Sequence, residues 1–261
     1  VFNSVSAFCN AGIDIIAENS LCNYATNPLI NVATSSLIIL GGLGYIVWWD
    51  VLRVLKSRSQ KNRKIFRHLT LHSKIAITVT AGLIFVGAIF IFIFEYSNPL
   101  TIGKMSLFDK IQVSFFQSVT TRTAGFATIP QENMTNASAT VSIILMLIGG
   151  SPVGTAGGMK TVTIAILVCS AFATIRNKKG ATLFGRRVSE ESIKKAVAVV
   201  VMFLTICAIS AILLMATSNA SAIDAVYETV SATATVGLSR NLTATLNTVG
   251  KLIIIVTMYF G

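Results

Sequence analysis

Long apolar runs constrain the fold of this chain more than any other feature of its sequence. Residues 75–94 form a run of about the 20 residues that a helix needs to cross a bilayer, and residues 196–216 form another. Over the whole chain 53% of residues are hydrophobic and 12% are charged, against about 25% charged in average soluble domains. The mean hydropathy is +0.74. We therefore predict an all-α integral membrane protein.

Three further apolar segments predict additional spans at residues 28–51, 140–175 and from 246 onward. Pro28 suits a helix start. The small residues from Gly41 to Gly44 suit close packing between helices. Trp48 and Trp49, at the end of this segment, are typical of anchors at the membrane interface. The sequence thus predicts a first spanning segment over residues 28–51.

The basic residues lie mainly in two loops, at 53–74 and 176–195, although the formal net charge of the whole chain is +11. Two predicted spans separate these loops, so both lie on one side of the membrane. The positive-inside rule makes that side cytoplasmic, and this topology accounts for the charge without a nucleic-acid partner. The four cysteines show no disulfide or metal-ligand spacing, and Cys9 and Cys22 are expected to be free thiols. No catalytic constellation is visible, so we do not expect an enzyme.

A short polar motif recurs three times between the apolar runs. Its last glycine is Gly12, Gly125 or Gly237, and these lie 113 and 112 residues apart. The second and third copies follow segments 108–121 and 222–234, which are too short to span and are predicted to be re-entrant helices. Polar backbone at membrane depth is tolerated only where it is buried in protein or lines a water-filled path. An internal repeat of this regularity predicts a tandem architecture.

Backbone carbonyls that face one axis can replace the water shell of K⁺, and glycine supplies the dihedral angles that this arrangement needs. The threonines two positions before a glycine can add hydroxyl oxygens. For Asn10, hydrogen bonding within the loop and a role in a pore remain open. Arg122 and Arg240, which flank two turns, could either hold a turn in shape or be solvated charges. The candidate ion-binding residues are Asn10, Ala11, Gly12, Ile13, Thr123, Ala124, Gly125, Phe126, Thr235, Val236, Gly237 and Leu238.

A glycine-rich break interrupts the apolar segment 140–175 at residues 149–161. Glycines and a proline at this density break a helix, and the spacing lacks that of a phosphate-binding loop. The break predicts either a gate or a packing kink. Lys160 is costly in lipid, so it could repel cations from a pore or extend toward the cytoplasmic surface. The candidate gate residues are Gly149, Gly150, Ser151, Gly154, Thr155, Gly157, Gly158 and Lys160.

These motifs resemble those of a known family of membrane proteins. Residues 6–12 (SAFCNAG), 121–126 (TRTAGF), 149–161 (GGSPVGTAGGMKT) and 235–239 (TVGLS) are similar to the membrane subunits of bacterial Ktr/Trk potassium-uptake systems, in the Trk/Ktr/HKT cation transporter superfamily. The resemblance implies four span–pore-helix–span repeats arranged pseudo-fourfold around one pore. Residues 1–55 would be the end of repeat two, 70–178 repeat three and 190–261 repeat four. The chain is thus expected to be a fragment that lacks the first repeat.

The resemblance also implies a function and partners. It implies K⁺ uptake across the cell membrane through a selectivity filter, regulated by a gating loop within the broken helix. It implies a homodimer on a cytosolic regulatory ring that binds the nucleotide, with the two basic loops as plausible docking surfaces. Na⁺ is a possible coupling ion, and no cofactor is expected in this chain. Permeation by Na⁺ or with weak selectivity is the alternative; a secondary solute transporter fits less well, because these repeats are parallel rather than inverted.

Overall fold

The computed structural model describes residues 1–16, 19–56, 65–178 and 180–261, and most of these residues are helical. Two-residue strands β1 (Thr182–Leu183) and β2 (Arg186–Arg187) pair antiparallel. Among the residues of the basic loops, Arg58, Lys61, Arg63, Lys64 and Lys179 lie outside the described residues. In chain order the helices are α1 (Phe2–Phe8), α2 (Pro28–Leu43), α3 (Tyr45–Lys56), α4 (Ile65–His68), α5 (Leu71–Glu95), α6 (Leu107–Thr120), α7 (Asn136–Leu147), α8 (Thr161–Ile175), α9 (Glu190–Thr217), α10 (Ala222–Thr233), α11 (Leu242–Thr245) and α12 (Thr248–Phe260).

Two helices in the described part of the chain, α5 and α9, are each long and apolar enough to cross a membrane alone. They contain 25 and 28 residues, which correspond to about 37 and 42 Å at 1.5 Å per residue. Most of each helix faces outward from the protein, as expected of a lipid-facing span. Side-chain oxygens of Thr70 and Ser189 cap their N-termini, so both helices begin slightly before the predicted apolar runs.

The segment 28–51, predicted to be the first span, is a bent pair of helices and not one continuous helix. Its start is confirmed, since Asn27 caps the helix with Pro28 in its first turn. The helix ends at Gly44, however, which has φ 80° and ψ 153°, a conformation that favours glycine. The chain then bends by 92° into α3, forming either a broken span or a re-entrant loop. The indole of Trp48 donates to the carbonyl of Leu40 across the bend at 3.0 Å, so this tryptophan satisfies a carbonyl at the end of the broken helix.

Helix α3 is attached to the start of α5 through Asp50. The buried Asp50 carboxylate accepts hydrogen bonds from the backbone N–H and the hydroxyl of Thr70, at 2.7 and 2.8 Å. It also pairs with Arg53. Because Thr70 is the N-cap of α5, this cluster joins the bent pair to the first long span.

The two predicted re-entrant helices are confirmed as helices α6 and α10, of 14 and 12 residues. Both are too short for the roughly 30 Å hydrocarbon core. Each begins with a serine that caps the N–H of an aspartate three residues later, Ser106 with Asp109 and Ser221 with Asp224. The shorter helix α1 holds the same place before the first turn.

Two apolar clusters form the core around these short helices. One joins α1, α2, α5 and α6 and includes Phe116 and Phe126. The other joins α7, α9 and α10 and includes Tyr227 and Val236. Both clusters contain side chains from the turns that follow α6 and α10, so the core fixes the position of those turns.

Candidate functional site

The turns that follow α1, α6 and α10 share one backbone conformation. Glycine adopts a left-handed conformation at little cost, but a β-branched threonine rarely does. Strained backbone of this kind is concentrated at functional sites, which makes the turns the first candidates. In each turn two residues separated by one position are left-handed: Asn10 (φ 51°) and Gly12 (67°), Thr123 (68°) and Gly125 (84°), and Thr235 (54°) and Gly237 (90°).

Each turn is tied back to the helix that precedes it. In every case the backbone N–H of the residue before the glycine donates to a carbonyl near the end of that helix, at 2.8–3.0 Å. In the central turn the hydroxyl of Thr120 also donates to the carbonyl of Phe126 at 2.6 Å. These bonds hold the turns in their strained conformation. The three donor–acceptor pairs are Ala11 with Ser6, Ala124 with Thr120, and Val236 with Ser231.

The three glycines lie against one another, although they are far apart in sequence. A Cβ atom at Gly12 would lie 2.6 Å from the carbonyl oxygen of Ala124 and 2.9 Å from the Cα of Gly125. A Cβ at Gly125 would lie 2.4 Å from the carbonyl oxygen of Val236, and one at Gly237 would lie 3.8 Å from the Cα of Gly125. Any larger residue at Gly12 or Gly125 would therefore push two turns apart.

Buried side chains anchor two of the turns. Ala124, Phe126, Val236 and Leu238 are each at most 3% exposed, and they belong to the two apolar clusters. Because their side chains pack into the core, they fix the position of two turns, whose glycines Gly125 and Gly237 line one cavity. In the first turn, by contrast, the side chain of Ile13 is exposed.

For Asn10 the structure supports hydrogen bonding within the protein. Its side chain is buried. The amide nitrogen, assigned to the position that faces two carbonyls, donates to Ala7 at 3.0 Å and to Ile38 at 3.2 Å. Asn10 thus ties the first turn to α1 and α2, and what it contributes to the shared space is its backbone.

The glycine-rich segment between α7 and α8 lies against the central and third turns. The N–H of Gly157 donates to the hydroxyl of Thr123 at 3.1 Å. A Cβ at Gly157 would lie 1.9 Å from the hydroxyl oxygen of Thr235, and one at Gly149 would lie 1.9 Å from the carbonyl oxygen of Gly157. Only glycine fits at these two positions, so the close approach of the segment explains part of its composition.

The other face of this segment packs on the bend between α2 and α3. The N–H groups of Ser151 and Thr155 donate to the carbonyls of Gly42 and Gly41, at 3.0 and 3.4 Å. The hydroxyl of Thr155 also donates to the carbonyl of Phe8 in α1, at 3.1 Å. The segment is therefore held between the turns and the bend.

Comparison with known proteins assigns the chain to a family. The sequence profile of the family described as "TrkH: Cation transport protein" matches residues 1–261. This chain belongs to the TrkH family. It is 37% identical over 265 residues to the potassium/sodium uptake protein NtpJ of Enterococcus hirae. It is 38% identical over 261 residues to the Ktr system potassium uptake protein B of Bacillus subtilis.

These two alignments cover 100% of this chain and 56% of each relative, so the chain spans about half the length of the curated relatives it matches. The crystal structure of the potassium transporter TrkH from Vibrio parahaemolyticus has the same fold. Its TM-score is 0.79 at 17% identity, over 98% of this chain and 54% of that one. TrkH-family membership confirms the prediction of a multi-pass protein of the cytoplasmic membrane, and the description of the family as cation transport proteins agrees with the prediction that the chain is not an enzyme.

In this TrkH-family chain the three glycines also line an open cavity of about 320 Å³, together with Asp14, Cys22 and Glu132. The pKa of the Cys22 thiol is raised to about 11, mainly because the thiol is partly buried and then because Glu132 and Asp14 lie nearby. Cys22 is a free thiol, as is Cys9. The two carboxylates give the mouth of the cavity a negative potential, which attracts cations.

Arg122, Arg240 and Lys160 all make internal hydrogen bonds. Arg122 is buried and donates from Nη2 to the carbonyl of Gly149 at 2.8 Å. Arg240 pairs with Asp224 at 2.7 Å. The ammonium of Lys160 donates to the carbonyl of Ala156, four residues earlier, at 2.7 Å. Both arginines hold neighbouring segments, and neither is a solvated charge.

Sequence reasoning missed a buried carboxylate in the short helix α10. Glu228 in α10 is 4% exposed, and its Oε1 accepts a hydrogen bond from Thr243. It lines a cavity beside Thr235 and Gly237. The signal was present in the sequence, because an acidic residue inside a segment at membrane depth is a functional candidate by default.

Sequence reasoning also missed a buried polar network behind the turns. The amide of Gln117 in α6 donates to Gln131 Oε1 at 2.7 Å, and the hydroxyl of Tyr227 in α10 donates to the same oxygen at 3.0 Å. The Gln131 amide nitrogen donates to the carbonyl of Ile129 at 2.8 Å. This network links the short helices α6 and α10, but the bond between Tyr227 and Gln131 joins residues 96 positions apart, and no local pattern identifies them.

Proposed function

We propose that residues 1–261 form most of a pathway for K⁺ across the cytoplasmic membrane. The observation that carries this proposal is the meeting of the three glycine turns, whose backbones face a shared space. In the proposed mechanism K⁺ loses water and is bound by backbone carbonyls of residues 10–13, 123–126 and 235–238. The apolar side chains beneath the turns keep this backbone in position. The carboxylates of Asp14 and Glu132 raise the local concentration of cations at the mouth.

The proposed gate is the glycine-rich segment 149–160. Its support is the position of Gly157, which contacts the hydroxyls of two proposed filter threonines, Thr123 and Thr235. A segment in this place interrupts the path next to the turns, and it must move for an ion to pass. The bonds from Ser151 and Thr155 to the bend at Gly41 and Gly42 give it a second attachment about which it can move.

The three turns belong, in this proposal, to units 1–55, 70–178 and 190–261. Helices α5 to α8 and helices α9 to α12 follow the same order: a long helix, a short helix, a turn and a further helix. This shared order supports the division. Because the curated relatives are nearly twice as long, we expect a further unit, from outside residues 1–261, to supply a fourth turn. We also propose a homodimer and a cytosolic nucleotide-binding regulatory ring that docks on the basic loops.

A second candidate function is permeation by Na⁺, or by monovalent cations with little discrimination. The observation that favours it is the name of one relative, a potassium/sodium uptake protein. Comparison of uptake in K⁺ and in Na⁺ media distinguishes the two candidates, and Na⁺-dependent K⁺ uptake would indicate Na⁺ as a coupling ion.

The test is K⁺-dependent growth of a transport-deficient cell that expresses the protein in its natural full-length form. We expect rescue by the parent and its loss in Gly125→Ala, where the added methyl group would meet the Val236 carbonyl. Gly82→Ala is the matched control, because no heavy atom lies within 4 Å of a Cβ at Gly82. Rescue that survives both Gly125→Ala and Gly237→Ala would contradict the filter assignment. Deletion of residues 150–158 should raise flux, and unchanged flux would favour a packing kink.

A further inference from the structure

The guanidinium of Arg122 is buried without an acidic partner. Arg122 is 6% exposed, and the ion pairs within the described ranges all involve other residues. Its Nε is buried and has no hydrogen-bond partner there either. Burial of a charge without a counter-ion is costly, so the hydrogen bond from Nη2 to the carbonyl of Gly149 needs an explanation beyond packing.

Comparison of the three turns shows that the turn itself does not require an arginine. The position three residues before the glycine is Cys9 in the first turn, Arg122 in the central turn and Ala234 in the third. All three turns nevertheless have the same pair of left-handed residues. The charge of Arg122 therefore serves a contact outside its own turn.

The hydrogen bond from Arg122 holds the glycine-rich segment at Gly149. Arg122 binds the carbonyl of Gly149, and the next residue, Thr123, accepts the N–H of Gly157 at 3.1 Å. Gly149 and Gly157 lie against each other, since a Cβ at Gly149 would be 1.9 Å from the Gly157 carbonyl oxygen. Two successive residues of the central turn thus bind the segment on both sides of the contact between Gly149 and Gly157.

We propose that Arg122 is a positioning residue that latches the glycine-rich segment onto the central turn. This inference rests on the proposed function of the segment as a gate. Loss of the Arg122 side chain removes one of the two hydrogen bonds that hold the segment to the turn and so loosens the segment, while the backbone of the turn keeps its conformation. The latch therefore controls how often the pathway opens, and the choice of ion depends on the turns.

Labelling of a cysteine inside the segment tests the latch without any measurement of transport. Ser151 is fully buried, so Ser151→Cys, in a full-length protein whose native cysteines are replaced, should react slowly with N-ethylmaleimide. Arg122→Ala places an alanine in the central turn, as at the equivalent position 234 of the third turn. This variant should raise the labelling rate of Ser151→Cys about ten- to a hundredfold, as expected for loss of one hydrogen bond from a charged donor. Arg122→Lys should keep most of the protection, because an ammonium can donate to the same carbonyl.

Arg240→Gln is the matched control, because it also removes a mostly buried guanidinium beside a turn. It should leave the labelling rate of Ser151→Cys unchanged. Equal rates in the parent and in Arg122→Ala would overturn the latch, and so would the same increase in Arg240→Gln. If Arg122→Ala does not reach the membrane, Arg122→Gln gives the same comparison, since it also cannot replace the charged donor.

Flux measurements separate the latch from the gate. With the latch, Arg122→Ala should raise K⁺ uptake in the same direction as deletion of residues 150–158, with the preference for K⁺ over Na⁺ unchanged. If the deletion raises uptake and Arg122→Ala does not, the latch is wrong and the gate stands. If labelling rises in Arg122→Ala and the deletion leaves uptake unchanged, the contact stands and the proposed gate fails.

Discussion

The backbone N–H of Gly157 donates to the hydroxyl of Thr123 at 3.1 Å. Thr123 belongs to the proposed filter and Gly157 to the proposed gate, so one hydrogen bond joins the two parts of the pathway. The hydroxyl of Thr235 in the third turn is the nearest atom to a Cβ built on Gly157, at 1.9 Å. Movement of the segment therefore changes the surroundings of two hydroxyls at once.

Gly157→Ala should displace the segment, because the added methyl group would overlap Thr235. Overpacking of this kind typically destabilises a conformation by about 1–3 kcal/mol. Here it destabilises the closed conformation, in which Gly157 contacts Thr235. We therefore expect higher K⁺ uptake than in the parent, measured as Rb⁺ influx in cells that express the full-length protein. Gly82→Ala should behave like the parent. Lower or unchanged uptake in Gly157→Ala would contradict a closed conformation at this contact.

Tyr227→Phe should loosen the connection between the short helices α6 and α10. It removes the hydroxyl that donates to Gln131 at 3.0 Å, and a net loss of about 1 kcal/mol is expected for one such bond. In a chain of this size that loss lowers the apparent melting temperature by about 2–4 °C. Tyr259→Phe is the control, since Tyr259 is 87% exposed. A melting temperature equal to that of the parent would show that the network adds no stability.

Glu95→Gln should destabilise the loop after α5. The fully buried Glu95 carboxylate accepts from the N–H and the hydroxyl of Thr135, at 2.8 and 2.9 Å, and from Thr101 at 2.5 Å. A neutral amide cannot accept at its NH₂ group, and hydrogen bonds to charged groups are worth about 1.5–3 kcal/mol each. Thermal unfolding in detergent measures the loss. Glu191→Gln, which breaks an exposed pair with Lys195, should change little.

Alkylation of Cys22 should be slow at neutral pH and should accelerate with rising pH. A pKa raised to about 11 keeps the thiol protonated, so the rate should rise about tenfold per pH unit between pH 7 and 10. Glu132→Gln removes a nearby negative charge, lowers this pKa and should increase the rate at pH 8. A rate that is already constant above pH 9 would contradict the placement of Cys22 beside these carboxylates. Cys22→Ser supplies the background.

The repeat could be predicted from the sequence, because three glycines at matched spacing each follow a short segment that cannot span a bilayer. That pattern predicted the bounds of α6 and α10 to within a residue or two and selected the three turns that meet. The bend at Gly44 could not be predicted from the sequence. A glycine inside an apolar run is compatible both with close packing between helices and with the positive φ that Gly44 adopts.

The long-range hydrogen-bond partners could not be predicted from the sequence either. Arg122 bonds a carbonyl 27 residues away, and a backbone carbonyl has no signature in the residue type. Tyr227 and Gln131 likewise pair across 96 residues. Glu228 is different, because an acidic residue within a short segment between apolar runs is itself a sequence signal. Local geometry followed from residue types, whereas the identity of each partner followed from tertiary packing.

An experimental structure of the full-length protein in a thallium salt tests the central claim most directly. Tl⁺ substitutes for K⁺ and is located by its anomalous scattering. The convergence of the turns predicts anomalous peaks between the backbone carbonyls of residues 10–13, 123–126 and 235–238, close to Gly12, Gly125 and Gly237. Peaks found only elsewhere, or three turns that face lipid or bulk water instead of one shared axis, would contradict it.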